Sequence, residues 1–216
     1  MAARSCVLIL VMVLAVVLNT SAQTCQTGLV NTMNQFPDLS TLVQFINEAG
    51  LTDRINNTDI TDNVTFVAPN NNAFDAFNVT LQQNNLTFAN ITDKDNNRAG
   101  SIILYHVITG VGALDITKTS NGQSLTTMLE GHNLTVSKGA NNSVTFIGGA
   151  NNATLQTASP GEVSVCFSKI YIVNRVLLPN ATLASIPIHV SGASTSAITG
   201  QWAFALSIAL AAALIM

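Results

Sequence analysis

Strand and helix meet in the stretch Val64-Thr65-Phe66-Val67-Ala68-Pro69-Asn70-Asn71-Asn72-Ala73-Phe74. The segment Thr65–Ala68 predicts a short buried strand, which Pro69 ends. The run Asn70–Asn72 favours a turn that can cap a helix. The apolar positions of that helix are Ala73, Phe74 and Phe77. A strand, a turn and a helix therefore follow one another within fourteen residues.

An amphipathic helix is predicted upstream of this stretch. Asp38 or Ser40 can cap its start, and Gly50 lies where a C-terminal cap belongs. Its apolar residues recur at helical spacing, at Leu39, Leu42, Val43 and Ile46.

A further helix is predicted downstream, reaching Leu104. The spacing of Thr92 and Asp95 is that of a capping box at its start. The same region begins like a calcium loop, at Asp93, Asp95 and Asn97. Arg98 occupies the position of the glycine that such a loop requires, so a capping turn is the favoured interpretation.

The second half of the chain is predicted to be mostly sheet. Short segments rich in Val, Ile, Leu and Thr alternate there with Gly/Asn turns, at Leu134–Ser137, Val144–Ile147, Ala153–Thr157 and Ile170–Leu178. Helices early and an antiparallel sheet late indicate the α+β class.

Three segments together resemble one family. The first is Val64–Phe74, the second is Ile103-Leu104-Tyr105-His106-Val107-Ile108, and the third is Ile170-Tyr171-Ile172-Val173-Asn174-Arg175-Val176-Leu177-Leu178-Pro179. In order and spacing they are similar to the successive signatures of a fasciclin (FAS1) domain, over about residues 27 to 180. The resemblance implies a wedge of two β-sheets with a layer of helices, used outside cells for adhesion or for matrix or wall organisation.

The resemblance also implies a candidate binding segment. In animal members the Tyr-His segment has been linked to integrin binding, and the matching residues here are Ile103, Leu104, Tyr105, His106 and Val107. A Tyr-His pair between apolar residues is more often a satisfied core pair, and that alternative is favoured. The third segment departs from the family pattern, with Asn174 where relatives usually have aspartate and Tyr171 where many have histidine.

Both ends of the chain carry the pattern of removable signals. Residues 1–22 have one basic residue and an apolar run, which predicts a secretory signal peptide. Ser191 and Gly192 are small, lie in a predicted stalk over residues 183–197, and precede an apolar tail over 198–216, which predicts attachment of a GPI anchor. A retained membrane span is the alternative for that tail. One domain is expected between the ends, over residues 23–182.

The composition is that of a glycosylated extracellular chain. Charged residues make up 9% of the chain, where about 25% is usual. Nine Asn-x-Ser/Thr sequons follow the signal peptide, at Asn56, Asn63, Asn78, Asn85, Asn90, Asn133, Asn141, Asn152 and Asn180. Cys25 and Cys166 remain as a pair in an oxidising compartment, and a disulfide between them is expected.

Several classes of function are not supported by the sequence. The net charge of −3 without a basic run argues against nucleic-acid binding. Paired metal-ligand motifs and a nucleophile elbow do not occur, so neither a metal, nor a cofactor, nor a catalytic residue is predicted. A cell-surface protein is expected, with an extracellular protein, a polysaccharide or a second copy as partner. The alternative is a binding module for a small apolar ligand or sugar.

Overall fold

The computed structural model describes residues 28–56, 63–93, 98–141, 143–157 and 160–179. The predictions for Cys25, Asn180, Ser191 and Gly192 fall outside these residues, as do the signal peptide, the stalk, the apolar tail and both ends of the predicted domain. Among the helices described, none has the length and hydrophobicity needed to span a membrane.

Most helices lie in the first half of the chain and most strands in the second, while the first strand lies between two of the helices. The helices are α1 (Leu29–Met33), a 3-10 turn (Pro37–Leu39), α2 (Ser40–Glu48), α3 (Thr52–Asn56), α4 (Asn71–Gln83), α5 (Phe88–Thr92) and α6 (Arg98–Tyr105). The strands are β1 (Thr65–Pro69), β2 (Val107–Ile108), β3 (Ser124–Thr126), β4 (Asn133–Lys138), β5 (Val144–Ile147), β6 (Asn152–Thr154), β7 (Glu162–Val165) and β8 (Ser168–Val173).

The strands form two four-stranded sheets. The first sheet has the order β2-β1-β8-β7, and the second has the order β3-β4-β5-β6. All pairs are antiparallel except β1 with β8, which run parallel with Thr65 opposite Lys169 and Pro69 opposite Val173. Helices with two mostly antiparallel sheets confirm the predicted α+β class.

Two isolated bridges join the sheets to each other. Ile108 at the end of β2 pairs with Thr127 just after β3, and Leu155 just after β6 pairs with Val173 at the end of β8. The second sheet is therefore tied to the first at both of its edges.

The core lies between helices and sheets. Every residue of β1 is buried, as are all residues of β8 except the half-buried Lys169. On the helical side, four phenylalanines from α2, α4 and α5 pack together, with Phe45 at ring-centroid distances of 5.3 Å from Phe74 and 5.8 Å from Phe88. A strand buried on both faces is expected to carry a nearly continuous apolar run, as β1 does at Phe66, Val67 and Ala68.

The asparagines after Pro69 cap two different helices. The Asn70 side chain accepts a hydrogen bond from the Ala73 amide (2.9 Å), which caps α4. The Asn71 side chain accepts one from the Thr41 amide (3.0 Å) and donates to the Pro37 carbonyl (3.0 Å), which caps α2. The turn between β1 and α4 thus also fixes where α2 begins.

Two predicted caps are wrong. The N-cap of α2 is Leu39, with no side-chain cap of its own, so neither Asp38 nor Ser40 fills that role. Thr92 is the last residue of α5 rather than a cap before α6. A capping box does occur five residues earlier, where Thr87 and Asn90 bond to each other's backbone amides. Gly50, with φ of 69°, does follow the C-terminus of α2.

We expect replacement of Asn70 or Asn71 by Ala to lower the free energy of unfolding by about 1 to 2 kcal/mol, because each change removes a side-chain acceptor from a helical amide. In Asn70→Ala the Ala73 amide keeps only its bond to the backbone carbonyl of residue 70. Asn72→Ala is the matched control, since Asn72 is exposed, and it should change stability by less than about 0.5 kcal/mol. Chemical denaturation of the three variants measures this. Equal effects at all three positions would contradict the capping roles.

Candidate functional site

The predicted binding segment spans the end of α6 and the start of β2. Ile103, Leu104, Tyr105, His106 and Val107 are all buried, and none is more than 3% exposed. None of these side chains is presented to solvent in this structure, so their contacts are with the rest of the domain.

His106 lies completely buried where α6 passes into β2. Its Nδ1 lies 2.7 Å from the Ile102 carbonyl, and its Nε2 accepts a hydrogen bond from the Leu177 amide (2.9 Å). These partners fix the neutral tautomer with the proton on Nδ1. Burial lowers the pKa of His106 from its usual 6.5 to about 4, although the bond to Ile102 acts in the opposite direction.

Tyr105 connects α6 to the second sheet. Its hydroxyl donates to the Asn133 carbonyl (3.1 Å) on β4 and accepts from the Gly149 amide (2.9 Å) in the loop after β5. Its ring meets that of His132 edge to face, with centroids 6.2 Å apart. Burial raises the pKa of the Tyr105 phenol, so the hydroxyl keeps its proton and remains a donor. Together Tyr105 and His106 join α6, the second sheet and the segment after β8.

The two residues that depart from the family pattern have hydrogen-bonding roles of their own. The buried Tyr171 hydroxyl donates to the Leu114 carbonyl (2.7 Å) and accepts from the Ile116 amide (3.1 Å), which holds the loop between β2 and β3. The Asn174 side chain accepts from the Thr154 amide (2.9 Å), which holds the end of β6. Neither role requires a charge.

A groove of about 450 Å³ lies on the surface beside α4. Its apolar lining includes Ala76 and Val79 on α4 and Leu178 after β8, and its polar lining includes Asn151 and Arg175. Of the lining residues only Arg175 is charged. Sequence patterns did not predict this groove, because it is formed by segments about 70 and 100 residues apart along the chain.

Most of the predicted glycosylation sites lie on the surface. Of the eight sequon asparagines in the described residues, six are exposed, namely Asn63, Asn85, Asn90, Asn133, Asn141 and Asn152, and Asn56 and Asn78 are half-buried. In the sequon of Asn63, the threonine, Thr65, is completely buried. Its hydroxyl donates to the Gly112 carbonyl (3.1 Å) and accepts from the Leu114 amide (2.8 Å).

The remaining candidates are only partly within the described residues. No group of three or more His, Cys, Asp or Glu side chains suited to a metal ion occurs in the part of the chain that the structure describes. Asp93 follows α5, while the rest of the calcium-like stretch, residues 94–97, lies outside that part. Cys166 occupies the turn between β7 and β8 with φ of 56°, and its pairing with Cys25 stays a prediction.

Comparisons with known proteins agree on the fold. A model of the Fasciclin domain family matches residues 37–179. No curated protein matches the sequence. Among solved structures, the chain is similar to a FAS1 domain pair from the insect cell adhesion molecule fasciclin I, with a TM-score of 0.56 and 14% sequence identity. That similarity covers 70% of this chain and 51% of the other, so this chain spans about half of that domain pair.

Stability should depend on pH through His106. Because its pKa is about 4 in the folded protein and about 6.5 when unfolded, the unfolded state binds the proton first as the pH falls. The contribution of neutral His106 to the free energy of unfolding is complete above pH 6.5. As the pH falls from 6.5 to 4, the free energy of unfolding should decrease by about 3 kcal/mol. Urea denaturation at a series of pH values measures this.

The control for this pH dependence is His106→Gln, which should remove most of the slope even though it lowers stability at every pH. The carboxyl of Asp115 contributes little to the slope between pH 6.5 and 4. Hydrogen bonds from Thr117 and Lys118 lower its pKa in the folded protein from 3.8 to about 2, and both values lie below that range. An NMR titration showing His106 protonated near pH 6.5 in the folded protein would refute the assignment.

Tyr105→Phe should lower the free energy of unfolding by about 1 to 3 kcal/mol, because it leaves the Gly149 amide and the Asn133 carbonyl without their partner. Tyr171→Phe is the matched comparison, since it also removes a buried hydroxyl that makes two backbone bonds. Melting curves and cell binding are measured together. Loss of binding with an unchanged melting curve would show instead that Tyr105 contacts a partner.

Proposed function

The chain belongs to the fasciclin domain family, and on that premise we propose that it is a GPI-anchored, N-glycosylated protein of the outer face of the plasma membrane. It mediates cell adhesion, or organises cell wall or extracellular matrix, through contacts with a protein, a polysaccharide or another copy of itself. Fasciclin domains are adhesion-type modules that occur in extracellular and cell-surface proteins, and this membership carries the proposal.

The surface of the domain supports an extracellular location. Six of the eight described sequon asparagines are exposed, and their side chains are accessible for carbohydrate. Only two ion pairs occur among the described residues, Lys118 with Asp115 and Lys169 with Glu162. A surface with so few charges depends on amides, hydroxyls and attached sugars for its hydration.

The Tyr-His segment has a structural role in this proposal. Tyr105 and His106 are buried, and each makes two hydrogen bonds to backbone groups, all of them remote in sequence except the bond between His106 and Ile102. Binding through them would require the core to open at α6. The adhesive contacts are therefore assigned to the outer surface of the domain, and the anchor concentrates that surface at the membrane.

The groove beside α4 favours a second function, the binding of a small amphipathic molecule or sugar. A volume of about 450 Å³ is within the range of small-molecule sites, and a lining that mixes apolar side chains with amides, a hydroxyl and one guanidinium suits a ligand with an apolar part and an acidic or hydroxyl-bearing group. A defined small molecule that stays bound through purification would favour this function over adhesion by a broad surface.

Treatment of intact cells with phosphatidylinositol-specific phospholipase C should release the protein and reduce cell aggregation or wall cohesion. Heat-inactivated enzyme is the control, and mass analysis of the released C-terminal peptide should place the anchor at Ser191 or Gly192. Retention of a chain that extends to Met216 would refute the anchor. Complete release with unchanged cohesion would refute adhesion as the function.

A further inference from the structure

Most of the exposed large apolar side chains lie near a sequon asparagine. Among the described residues, the large hydrophobic side chains with high exposure are Phe167 (62%), Val79 (53%), Val111 (43%) and Ile147 (38%). Ile147 is paired with a sequon asparagine across two strands, Phe167 and a sequon asparagine lie at the same end of two paired strands, and Val79 follows a sequon asparagine along the chain. Singly exposed apolar residues are ordinary, but this shared position points to a common covering group.

Ile147 lies beside Asn152 on the outer face of the second sheet. The two residues are directly opposite each other in the antiparallel pair of β5 and β6, and their inward neighbours, Phe146 and Ala153, are buried. Side chains in such a pair stand on the same face, with Cβ atoms about 4.5 to 5.5 Å apart. The rest of this face is uncharged and consists of Ser124, Thr126, Asn133, Thr135, Ser137, Thr145 and Thr154.

Phe167 and Asn63 lie at the same end of the central strand pair of the first sheet. The Lys169 amide donates to the Val64 carbonyl (3.1 Å), and the Val64 amide donates to the Ser168 hydroxyl (3.2 Å). Asn63 precedes Val64 and Phe167 precedes Ser168, so the parallel pairing of β1 with β8 brings Asn63 and Phe167 to the same end of the sheet.

The loop after β2 also approaches Asn63. A Cβ atom placed on Gly112 would lie 3.7 Å from the Cβ of Asn63, so the backbone of Gly112 runs close to the asparagine. Val111, the residue before it, is exposed. The remaining one, Val79, directly follows Asn78 on α4 and lines the groove.

We propose that the N-linked glycans on Asn63 and Asn152 are packed against the protein, with the first N-acetylglucosamine covering Phe167 at one site and Ile147 at the other. A pyranose ring has an apolar face of C–H groups. Contact of that face with an aromatic or branched aliphatic side chain removes apolar surface of both from water. The inference rests on the proposed function in taking the sequons to be glycosylated.

The test uses the full chain expressed in a eukaryotic secretory host, with the occupancy of each sequon measured by glycopeptide mass. Asn63→Asp and Asn152→Asp remove the glycan, and Asp tolerates the positive φ of 74° at position 63. Each should lower Tm by about 2 to 4 °C, the shift that one such contact produces in a domain of this size. Asn141→Asp is the matched control, because it introduces the same charge at an exposed sequon in a turn without an exposed large apolar neighbour, and it should leave Tm unchanged.

Double variants identify the contact itself. Phe167→Ser should lower Tm in the glycosylated chain but have no effect when Asn63→Asp is already present, and Ile147→Thr should behave in the same way with Asn152→Asp. Trimming the glycans to a single N-acetylglucosamine with endoglycosidase H should preserve Tm, because the first sugar makes the contact.

The contrary results distinguish failure of the packed-glycan proposal from failure of the proposed function. If the sites are occupied and the Tm changes of the two single variants add up in the double variant, the packed-glycan proposal is overturned, while the proposed function as a glycoprotein is unaffected. Empty sites at Asn63 and Asn152 with carbohydrate elsewhere would also overturn it, whereas a chain without carbohydrate would refute the glycosylated function. Loss of cell aggregation in Phe167→Ser with an unchanged Tm would assign Phe167 to a partner instead of a glycan.

Discussion

The parallel pairing of β1 with β8 is the constraint on which the rest of the structure depends. The two strands are about 100 residues apart in sequence and almost completely buried, so each of their backbone polar groups needs a partner inside the protein. The ends of the pair are completed by the Ser168 hydroxyl, which accepts from Val64, and by the Val173 carbonyl, which accepts from Asn70. Parallel strands cannot be joined by a tight turn, and the long connection between these two holds α4 to α6, β2, the second sheet and β7.

The polar residues of the core follow from the same constraint. The His106 carbonyl accepts from Val67 in β1 while its ring accepts from Leu177 beyond β8, so one residue satisfies backbone groups on both sides of the central pair. The Tyr105 hydroxyl likewise accepts from the Gly149 amide, and the Tyr171 hydroxyl donates to the Leu114 carbonyl, so each tyrosine satisfies a backbone group of a loop. A tyrosine or histidine with two buried partners costs little to bury and fixes the relative position of the segments that it connects. In this chain the residues that resemble a binding motif have such a role.

The sequence predicted those features whose physical causes are local. The strand at Thr65–Ala68, the cap at Asn70 and the terminating Gly50 each depend on residues within a few positions, and all three occur. The start of α2 could not be assigned correctly, because its cap is Asn71, 30 residues away from Thr41. The strand β7 was not predicted, since its four residues Glu162–Val165 carry no distinct pattern and exist as a strand only beside β8. For the candidate site, the sequence could identify the Tyr-His pair but not its partners, which lie 44 and 71 residues away from the side chains they bond.

The burial of Thr65 has a consequence for the order of events during synthesis. A sequon is recognised through the hydroxyl of its third residue, and in the folded domain that hydroxyl is enclosed by Gly112 and Leu114. An enzyme that modifies Asn63 must therefore act while β1 is still an extended, unpaired chain. The pairing of β1 is completed only when β8 has been synthesised, more than 100 residues later. The same separation in sequence that lowers the folding rate of this topology therefore also lengthens the time during translation in which Asn63 is accessible to such an enzyme.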